Sequence, residues 1–323
     1  TNKGENDWYT GTVTILAPTG YTISSTLEGT YAADFTTDTN GENTYYLRQD
    51  SSGFITDART IQVPIDTDQP SGGKTDLSDA ALRVGWYLSK ENITVTQSVE
   101  DATSGPDHIE YQLTPSTDSA GTLGSNQNSG SVSVNAEGKA SFTISKQFKG
   151  SIKIIPYDKA GNAENPITFE KVAAEDEKPE LKVTDTFAEG WYTTAQTVHV
   201  HAQDMRSGLY MMTYKIDDGD LEKLFRGLSN MTVEKEVSFP VQEGVHTYSI
   251  IALDNAWNGA TEKVTIRQDT QAPTKPTLTV SKEATDTTVT LQASATDETS
   301  GVQEYILKEV TNQVPEQKRS DGV

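Results

Sequence analysis

The 323-residue chain contains no cysteine, only four histidines and no long apolar run. Extracellular eukaryotic sandwich domains of this size usually carry disulfides, so the absence of cysteine favours a bacterial protein. A membrane span needs a run of about 18 or more apolar residues, and we therefore predict no membrane insertion. No signal peptide begins at Thr1, and we expect the chain to be part of a longer protein.

The chain is also poor in positive charge. It has 47 acidic and 26 basic residues, a formal net charge of −21. Such a charge repels nucleic acid and anionic membrane surfaces, so we predict no nucleic-acid partner, and it leaves cations, calcium above all, as plausible ligands. Only 34% of the residues are hydrophobic, which indicates several small β-rich modules rather than one large enzyme core.

Three landmarks recur along the chain and indicate internal repeats. The first is an aromatic pair near the start of each repeat: Trp8-Tyr9, Trp86-Tyr87 and Trp191-Tyr192. The second is an Asp-x-x-Ser-Gly turn, which begins at Asp101, Asp204 and Asp297. The third is a late strand that ends in Asp before a turn, at Asp50, Asp158 and Asp254.

Each repeat runs into an acidic junction that ends in proline, at Pro70, Pro179 and Pro273. The prolines are roughly 100 residues apart, the size of an immunoglobulin-like domain. We therefore predict four modules that follow one another end to end. They are module 1 (1–70, which we expect to be incomplete and to lack its first strand), module 2 (71–179), module 3 (180–273) and module 4 (274–323, truncated).

Module 3 shows the strand pattern best. Residues 197–203 alternate between apolar and polar side chains, which is typical of a half-buried strand. Further strands are predicted near 180–185, 210–216, 233–239, 245–253 and 261–267, with a hairpin turn at 217–219. No segment has a helical period, so we expect an all-β fold of tandem immunoglobulin-like β-sandwiches.

The segments AQDMRSGLYMMTYKIDDG (202–219) and EGVHTYSIIALDNAWNGATEKVTIRQDTQAP (243–273) resemble the bacterial Ig-like repeats of Gram-positive surface and secreted multimodular proteins. Residues 274–310 resemble the opening of an Ig-like or fibronectin type III-like module. The resemblance implies a β-sandwich fold and a spacer role, and for some such modules a binding role.

Candidate sites for chemistry are few. The Asp-x-x-Ser-Gly turns resemble calcium corners, but one carboxylate supplies too few oxygens for Ca²⁺, so we predict capped turns. His199 and His201 have the spacing of metal ligands, yet a solvent-facing polar row explains them equally well. We predict no catalytic residue and no metal site. Acids lie at each junction, and calcium bound between them and loop acids of the next module is a hypothesis. These junction acids are Asp66, Asp68, Asp176, Glu177 and Asp269.

The tryptophans differ in their predicted roles. Trp8, Trp86 and Trp191 recur at one module position, which favours a shared packing role over sugar stacking. Trp257 lies in a turn where other copies carry Ser52 or Ala160, so we predict that it is exposed. It is the one binding residue that we predict.

These observations predict a non-catalytic, elongated stalk or spacer of an extracellular or cell-surface bacterial protein. Such a stalk would present an adhesive or catalytic domain. One alternative is an adhesin module that binds carbohydrate or a host surface protein. Another is an accessory region of a secreted glycoside hydrolase. No cofactor is predicted apart from the calcium hypothesis.

Overall fold

The computed structural model describes residues 2–116, 128–228, 231–281 and 288–308. Within these ranges the regular structure consists of β-strands alone. No helix that is long and apolar enough to cross a bilayer occurs among the described residues. The strands form seven sheets in this part of the chain, and the strands of each sheet all lie within one of the four modules.

Module 1 has two small sheets. Its strands are β1 (Val13–Leu16), β2 (Tyr21–Ser24), β3 (Asp34–Thr37), β4 (Gly41–Gln49) and β5 (Arg59–Val63). β1 pairs with β3, and β2, β4 and β5 form the second sheet. The buried cluster consists of Val13, Val63 and Ile65, against which Tyr9 and Ile15 pack.

Module 2 is a sandwich of a six-stranded and a three-stranded sheet, in the orders β11-β10-β13-β14-β8-β7 and β12-β9-β6. Its strands are β6 (Ser71–Ser78), β7 (Ala81–Arg83), β8 (Trp86–Ser89), β9 (Ile93–Glu100), β10 (Pro106–Pro115), β11 (Ser129–Ser133), β12 (Lys139–Ile144), β13 (Phe148–Asp158) and β14 (Ile167–Ala174). Alternate residues of β9 and β12 are buried. Tyr111 of one sheet stacks on Phe142 of the other, with ring centroids 4.0 Å apart.

Module 3 repeats this plan with sheets in the orders β16-β22-β21-β18-β19 and β15-β17-β20. Its strands are β15 (Glu180–Val183), β16 (Trp191–Tyr192), β17 (Thr197–Gln203), β18 (Leu209–Ile216), β19 (Glu222–Arg226), β20 (Glu234–Pro240), β21 (Gly244–Asp254) and β22 (Gly259–Gln268). Tyr214 and Phe239 stack across the core at 4.0 Å. In module 4 the described strands are β23 (Thr277–Ser281) and β24 (Thr290–Ser294).

The all-β fold of tandem β-sandwiches is confirmed. The alternation predicted for 197–203 is correct: Val198, Val200 and Ala202 are buried, and the histidines between them are not. The turn at 217–219 connects β18 and β19 as a hairpin. The exact module boundaries stay a prediction.

The packing role predicted for Trp191 is wrong. Trp191 is 38% exposed, because β16 is a two-residue edge strand that pairs only with β22. Successive side chains of a strand point to opposite faces. Here Tyr192 is the inward residue, and it packs edge-on against Phe187 with ring centroids 6.1 Å apart.

Candidate functional site

The acidic junctions carry one buried carboxylate each. Asp66, Glu175 and Asp269 are 2%, 0% and 5% exposed. Each accepts a hydrogen bond from a serine main-chain N–H in the next module's Asp-x-x-Ser-Gly turn. The pairs are Ser104 N to Asp66 Oδ2 at 2.9 Å, Ser207 N to Glu175 Oε1 at 2.8 Å and Ser300 N to Asp269 Oδ2 at 3.1 Å. The same contact therefore crosses three successive junctions.

The Asp-x-x-Ser-Gly turns are capped as predicted. Asp101 Oδ1 accepts hydrogen bonds from Thr103 N at 3.1 Å and Gly105 N at 2.7 Å. Asp204 and Asp297 bind their own turns in the same way. The glycines have φ values of 85°, 74° and 80°, in the left-handed region that glycine adopts without steric cost. The capping presents the serine N–H to the preceding module.

A second turn of the later module completes each contact. Asp158 accepts hydrogen bonds from the main-chain and side-chain nitrogens of Asn162, both at 2.8 Å. Asn162 Nδ2 also donates to the Asp66 carbonyl at 3.1 Å. Asn258 does the same with Asp254 and with the Glu175 carbonyl. Asp158 and Asp254 thus accept hydrogen bonds from the turns that follow them, and the asparagines also donate to the main chain of the preceding module.

These groups define the joints. Joint A connects modules 1 and 2 and consists of Asp66, Asp101, Ser104, Asp158 and Asn162. Joint B connects modules 2 and 3 and consists of Glu175, Asp204, Ser207, Asp254 and Asn258. Joint C connects modules 3 and 4 and comprises, among the described residues, Asp269, Asp297 and Ser300. The sequence pattern indicated Asp66 and Asp269, but at joint B it indicated Asp176 and not Glu175, and Asp176 accepts hydrogen bonds from Lys146 and Gln147 of module 2.

Each of joints A and B brings three carboxylates together, with one oxygen from each acid within 4.8 Å of the others. Calcium takes about six to eight oxygens, so main-chain carbonyls or water would have to complete such a site. Many of these carboxylate oxygens already accept N–H hydrogen bonds. The three carboxylates therefore offer the oxygen ligands that calcium prefers, but by themselves they supply too few of them.

Burial perturbs the acids of joint B most. It raises the pKa of Glu175 to about 8, and the charges of Asp204 and Asp254 add to the rise. Burial also raises the pKa of Asp254 to about 6, against the hydrogen bonds from Asn258. Glu175 Oε2 has no hydrogen-bond partner within the described residues. The raised pKa favours the protonated form of Glu175 over a wider pH range than for an exposed glutamate.

Two cations distinguish joint B from joint A. Arg206 occupies the turn position that is Thr103 in joint A, and its Nε lies 4.0 Å from Glu175 Oε2. Its guanidinium also binds Glu177 at 3.0 Å. Lys149 is 2% exposed and donates to the Met205 carbonyl at 3.1 Å, so a lysine of module 2 reaches into a module 3 turn.

A hairpin of each earlier module also contacts the later module. In joint A, Glu5 N donates to the Ala160 carbonyl at 3.0 Å and Asn6 Nδ2 to the Lys159 carbonyl at 2.9 Å. In module 2, the β7–β8 hairpin places the Arg83 guanidinium 4.4 Å from the centre of the Trp257 ring. In both hairpins a Trp-Tyr pair follows the turn, and the sequence pattern had marked these pairs without showing what the turns contact.

Trp257 is 47% exposed, so its predicted exposure is confirmed. Counting from the late-strand Asp, it occupies the position of Gly161 rather than that of Ala160 or Ser52. Its φ is 71°, and that of Gly161 is 91°. His199 and His201 each pair with a carboxylate, Asp185 and Glu234, and His246 lies in the other sheet and pairs with Asp217.

The chain matches no family model, and no curated protein matches it. Solved structures similar to it include fibronectin(III)-like modules of Clostridium thermocellum CbhA (TM-score 0.29, 15% identity, 60% of this chain and 95% of that chain). Others are a titin fragment (0.34, 14%, 83% and 98%) and part of a 1.5-MDa bacterial ice-binding adhesin (0.33, 15%, 81% and 92%). At these TM-scores the likenesses carry no information on function.

Proposed function

We propose that this chain is a non-catalytic stalk segment of an extracellular or cell-surface bacterial protein. Its four modules, with the boundaries predicted from the sequence, would hold an adhesive or catalytic domain away from the cell. One observation carries the proposal. At three successive joints, a buried carboxylate accepts a hydrogen bond from the corresponding serine N–H of the next module.

Such joints resist bending because their polar groups are buried. If joint A opened, Asp66 would lose its bond from Ser104, and its carbonyl would lose its bond from Asn162. Each hydrogen bond is worth about 1 kcal/mol net, and several act together at each joint. The junctions also end in proline, which fixes φ, and Gly/Ser linkers are lacking. Fixed orientation is what a spacer requires.

Calcium at joints A and B is a further part of this proposal. Three convergent carboxylates at each joint are the observation that supports it. A bound cation would offset the repulsion between the acids and stiffen the joint. At joint B, Arg206 and Lys149 already supply positive charge, so joint A would depend more on calcium.

A second function, that of a module binding carbohydrate or a host surface protein, is favoured by one observation. Trp257 is 47% exposed beside the interface of modules 2 and 3. Spacer and binder are compatible roles. An accessory role in a secreted glycoside hydrolase is compatible with either.

Small-angle X-ray scattering of the full chain tests the stalk. At about 3.3 Å per residue of strand, each sandwich is roughly 30–40 Å long, so three modules end to end should give a maximum dimension of roughly 100 Å or more. The paired variant Asn162→Ala/Asn258→Ala should scatter as a more flexible chain. Asn135→Ala is the control, because Asn135 caps a turn within module 2.

A compact scattering profile of the unaltered chain would overturn the stalk. Repeating the measurement with a chelator tests calcium separately. If the profile stays extended and calorimetry detects no heat of calcium binding, the calcium part is wrong and the stalk stands.

A further inference from the structure

A shallow depression of about 290 Å³ lies where modules 2 and 3 meet. Its walls include Arg83 of module 2 and Tyr210, Arg226 and Trp257 of module 3. Among the described residues that line it, none is acidic, although acids outnumber bases 47 to 26 in the chain. The depression is therefore a local positive region on a strongly negative protein.

Two aromatic rings form one side of the depression. The Trp257 and Tyr210 centroids are 5.2 Å apart, and the rings are inclined at 55°. Trp257 has a left-handed φ of 71° at the position that is Gly161 in module 2. That conformation costs a non-glycine residue on the order of 1 kcal/mol. The indole is thus held in a backbone conformation that glycine would adopt without this cost.

Two guanidinium groups complete the walls. Arg83 lies 4.4 Å from the Trp257 centroid, and Arg226 lies 5.7 Å from the Tyr210 centroid and donates to the Tyr210 hydroxyl at 3.3 Å. Within the described residues, neither guanidinium has a carboxylate within 4 Å. Arginine presents its N–H donors in a fork that matches a carboxylate. Two guanidinium groups without a carboxylate partner, beside the exposed Trp257 ring and the half-buried Tyr210 ring, favour a ligand with a carboxylate and an apolar face.

We propose that the depression binds a saccharide whose pyranose ring carries a carboxylate, such as a hexuronic or a sialic acid. The C–H face of the sugar would pack on the aromatic rings, and the carboxylate would bind Arg226 or Arg83. This inference rests on the second function proposed above, that of a binding module, and names its ligand class. A neutral sugar would leave both guanidinium groups unmatched, and an acidic peptide lacks the flat C–H face.

Isothermal titration calorimetry of the full chain tests the ligand class. The probes are oligogalacturonate and sialyllactose, with cellohexaose as the neutral sugar and oligoglutamate as the acidic peptide. At least one acidic sugar should bind at least about tenfold more tightly than cellohexaose and oligoglutamate, and added salt should weaken it. Binding of oligogalacturonate would indicate a hexuronic acid as the ligand, and binding of sialyllactose would indicate a sialic acid.

Equal binding of cellohexaose would overturn the carboxylate requirement and leave a binding module in place. Preference for oligoglutamate would overturn the saccharide. Absence of binding to all four probes would overturn the inference and count against the second function, while the scattering test of the stalk is unaffected.

Two variants test the two kinds of side chain in the depression, and the first of them leaves the contacts of joint B in place. Arg226→Gln keeps a hydrogen-bond donor for Tyr210 but removes the charge, and Arg226 makes no contact with module 2 among the contacts described above. It should weaken acidic-sugar binding roughly tenfold without changing the scattering profile. Trp257→Gly should abolish binding, and glycine adopts the left-handed φ of this position without steric cost. The control Trp191→Ala removes another exposed tryptophan and should bind normally. Binding unchanged in Arg226→Gln and Trp257→Gly would overturn the site.

Discussion

The side chain of Glu175 is one methylene longer than those of Asp66 and Asp269, the buried acids of the other two joints. Asp66 and Asp269 each use their second oxygen to accept the N–H two residues further on, which closes a local turn. Glu175 makes no such turn in the described contacts, and its Oε2 is buried without a hydrogen bond, 4.0 Å from Arg206 Nε. Joint B therefore contains a buried acid whose raised pKa favours protonation, where joints A and C contain a carboxylate with both oxygens hydrogen-bonded.

This protonation predicts that the stability of joint B depends on pH. The folded-state pKa of Glu175 is raised from its ordinary value near 4.5 to about 8. A raised acid pKa gives a contribution to stability that is full below the ordinary value and is lost as pH rises through the folded value. Asp204 and Asp254, whose pKa values burial also raises, act in the same direction. The melting temperature of module 3 should fall between about pH 5 and about pH 9.

The variant Glu175→Gln checks the cause of that fall. The amide is neutral at every pH, so the slope should shrink, and the variant should melt about 5 °C or more above the unaltered chain at the alkaline end. Calorimetry at several pH values measures both the pH dependence of the melting temperature and its value at the alkaline end. An unaltered chain whose melting temperature is flat across this range would contradict the account.

The exposure of Trp191 predicts a small effect of its removal. Trp191→Ala should lower the free energy of unfolding of module 3 by less than about 1 kcal/mol, as is usual for surface changes. Tyr248→Ala should cost about 3–5 kcal/mol, because Tyr248 is fully buried and its hydroxyl accepts the Gln242 N–H. Denaturant unfolding measures the loss of unfolding free energy in each of the two variants. Equal losses from the two substitutions would show that Trp191 packs into the core after all.

At the scale of elements, the Asp-x-x-Ser-Gly turns behave as one repeated device with different surroundings. At Gly105 a Cβ would meet only the flexible end of Lys159, at 3.3 Å. At Gly208 it would meet the Met231 side chain at 2.5 Å and the Thr232 carbonyl at 3.1 Å. Both glycines have left-handed φ values.

Alanine at these two glycines should therefore have unequal costs. Gly105→Ala should cost about 1 kcal/mol, the backbone penalty alone. Gly208→Ala should cost clearly more, since a neighbouring main-chain group must also move. Thermal unfolding of both variants provides the comparison, and a Gly105→Ala loss as large as that of Gly208→Ala would contradict it.

Sequence patterns predicted the positions of the strands better than the contacts that the strands and modules make with one another. The long strands of module 3 follow from alternation, and β17 has the predicted bounds. The short edge strands β16 and β19 were missed, because two to five residues show too little periodicity. Trp191 was placed in the core because recurrence does not reveal which face of a strand is buried.

The joints are formed by residues far apart in the chain, and local sequence patterns do not reveal such contacts either. Asp66, Asp101 and Asp158 were each singled out from the sequence, but their convergence depends on the pairing of β10 with β13 and on the docking of two modules. Residues so far apart in the chain leave no local pattern. The spacing of a repeated acid, turn and late-strand Asp was the one signal that could have indicated the joint.

At the scale of the whole molecule, separate cores are connected by polar contacts. The buried hydrophobic clusters of modules 1, 2 and 3 each lie within one module, so each of these three modules has a core of its own. Relative orientation is left to the joints. A net charge of −21 disfavours collapse of the modules onto one another, and short junctions that end in proline limit their freedom.

The central claim is that the joints fix neighbouring modules in one orientation, and pulsed electron spin resonance distances test it most directly. The chain has no native cysteine, so spin labels attach only at introduced sites. Lys153→Cys in module 2 and Glu262→Cys in module 3 are exposed and lie outside joint B. The account predicts one narrow distance distribution, which broadens when Glu175→Ala and Asn258→Ala are added and stays narrow with Asn135→Ala. A broad distribution in the chain with intact joints would contradict the account.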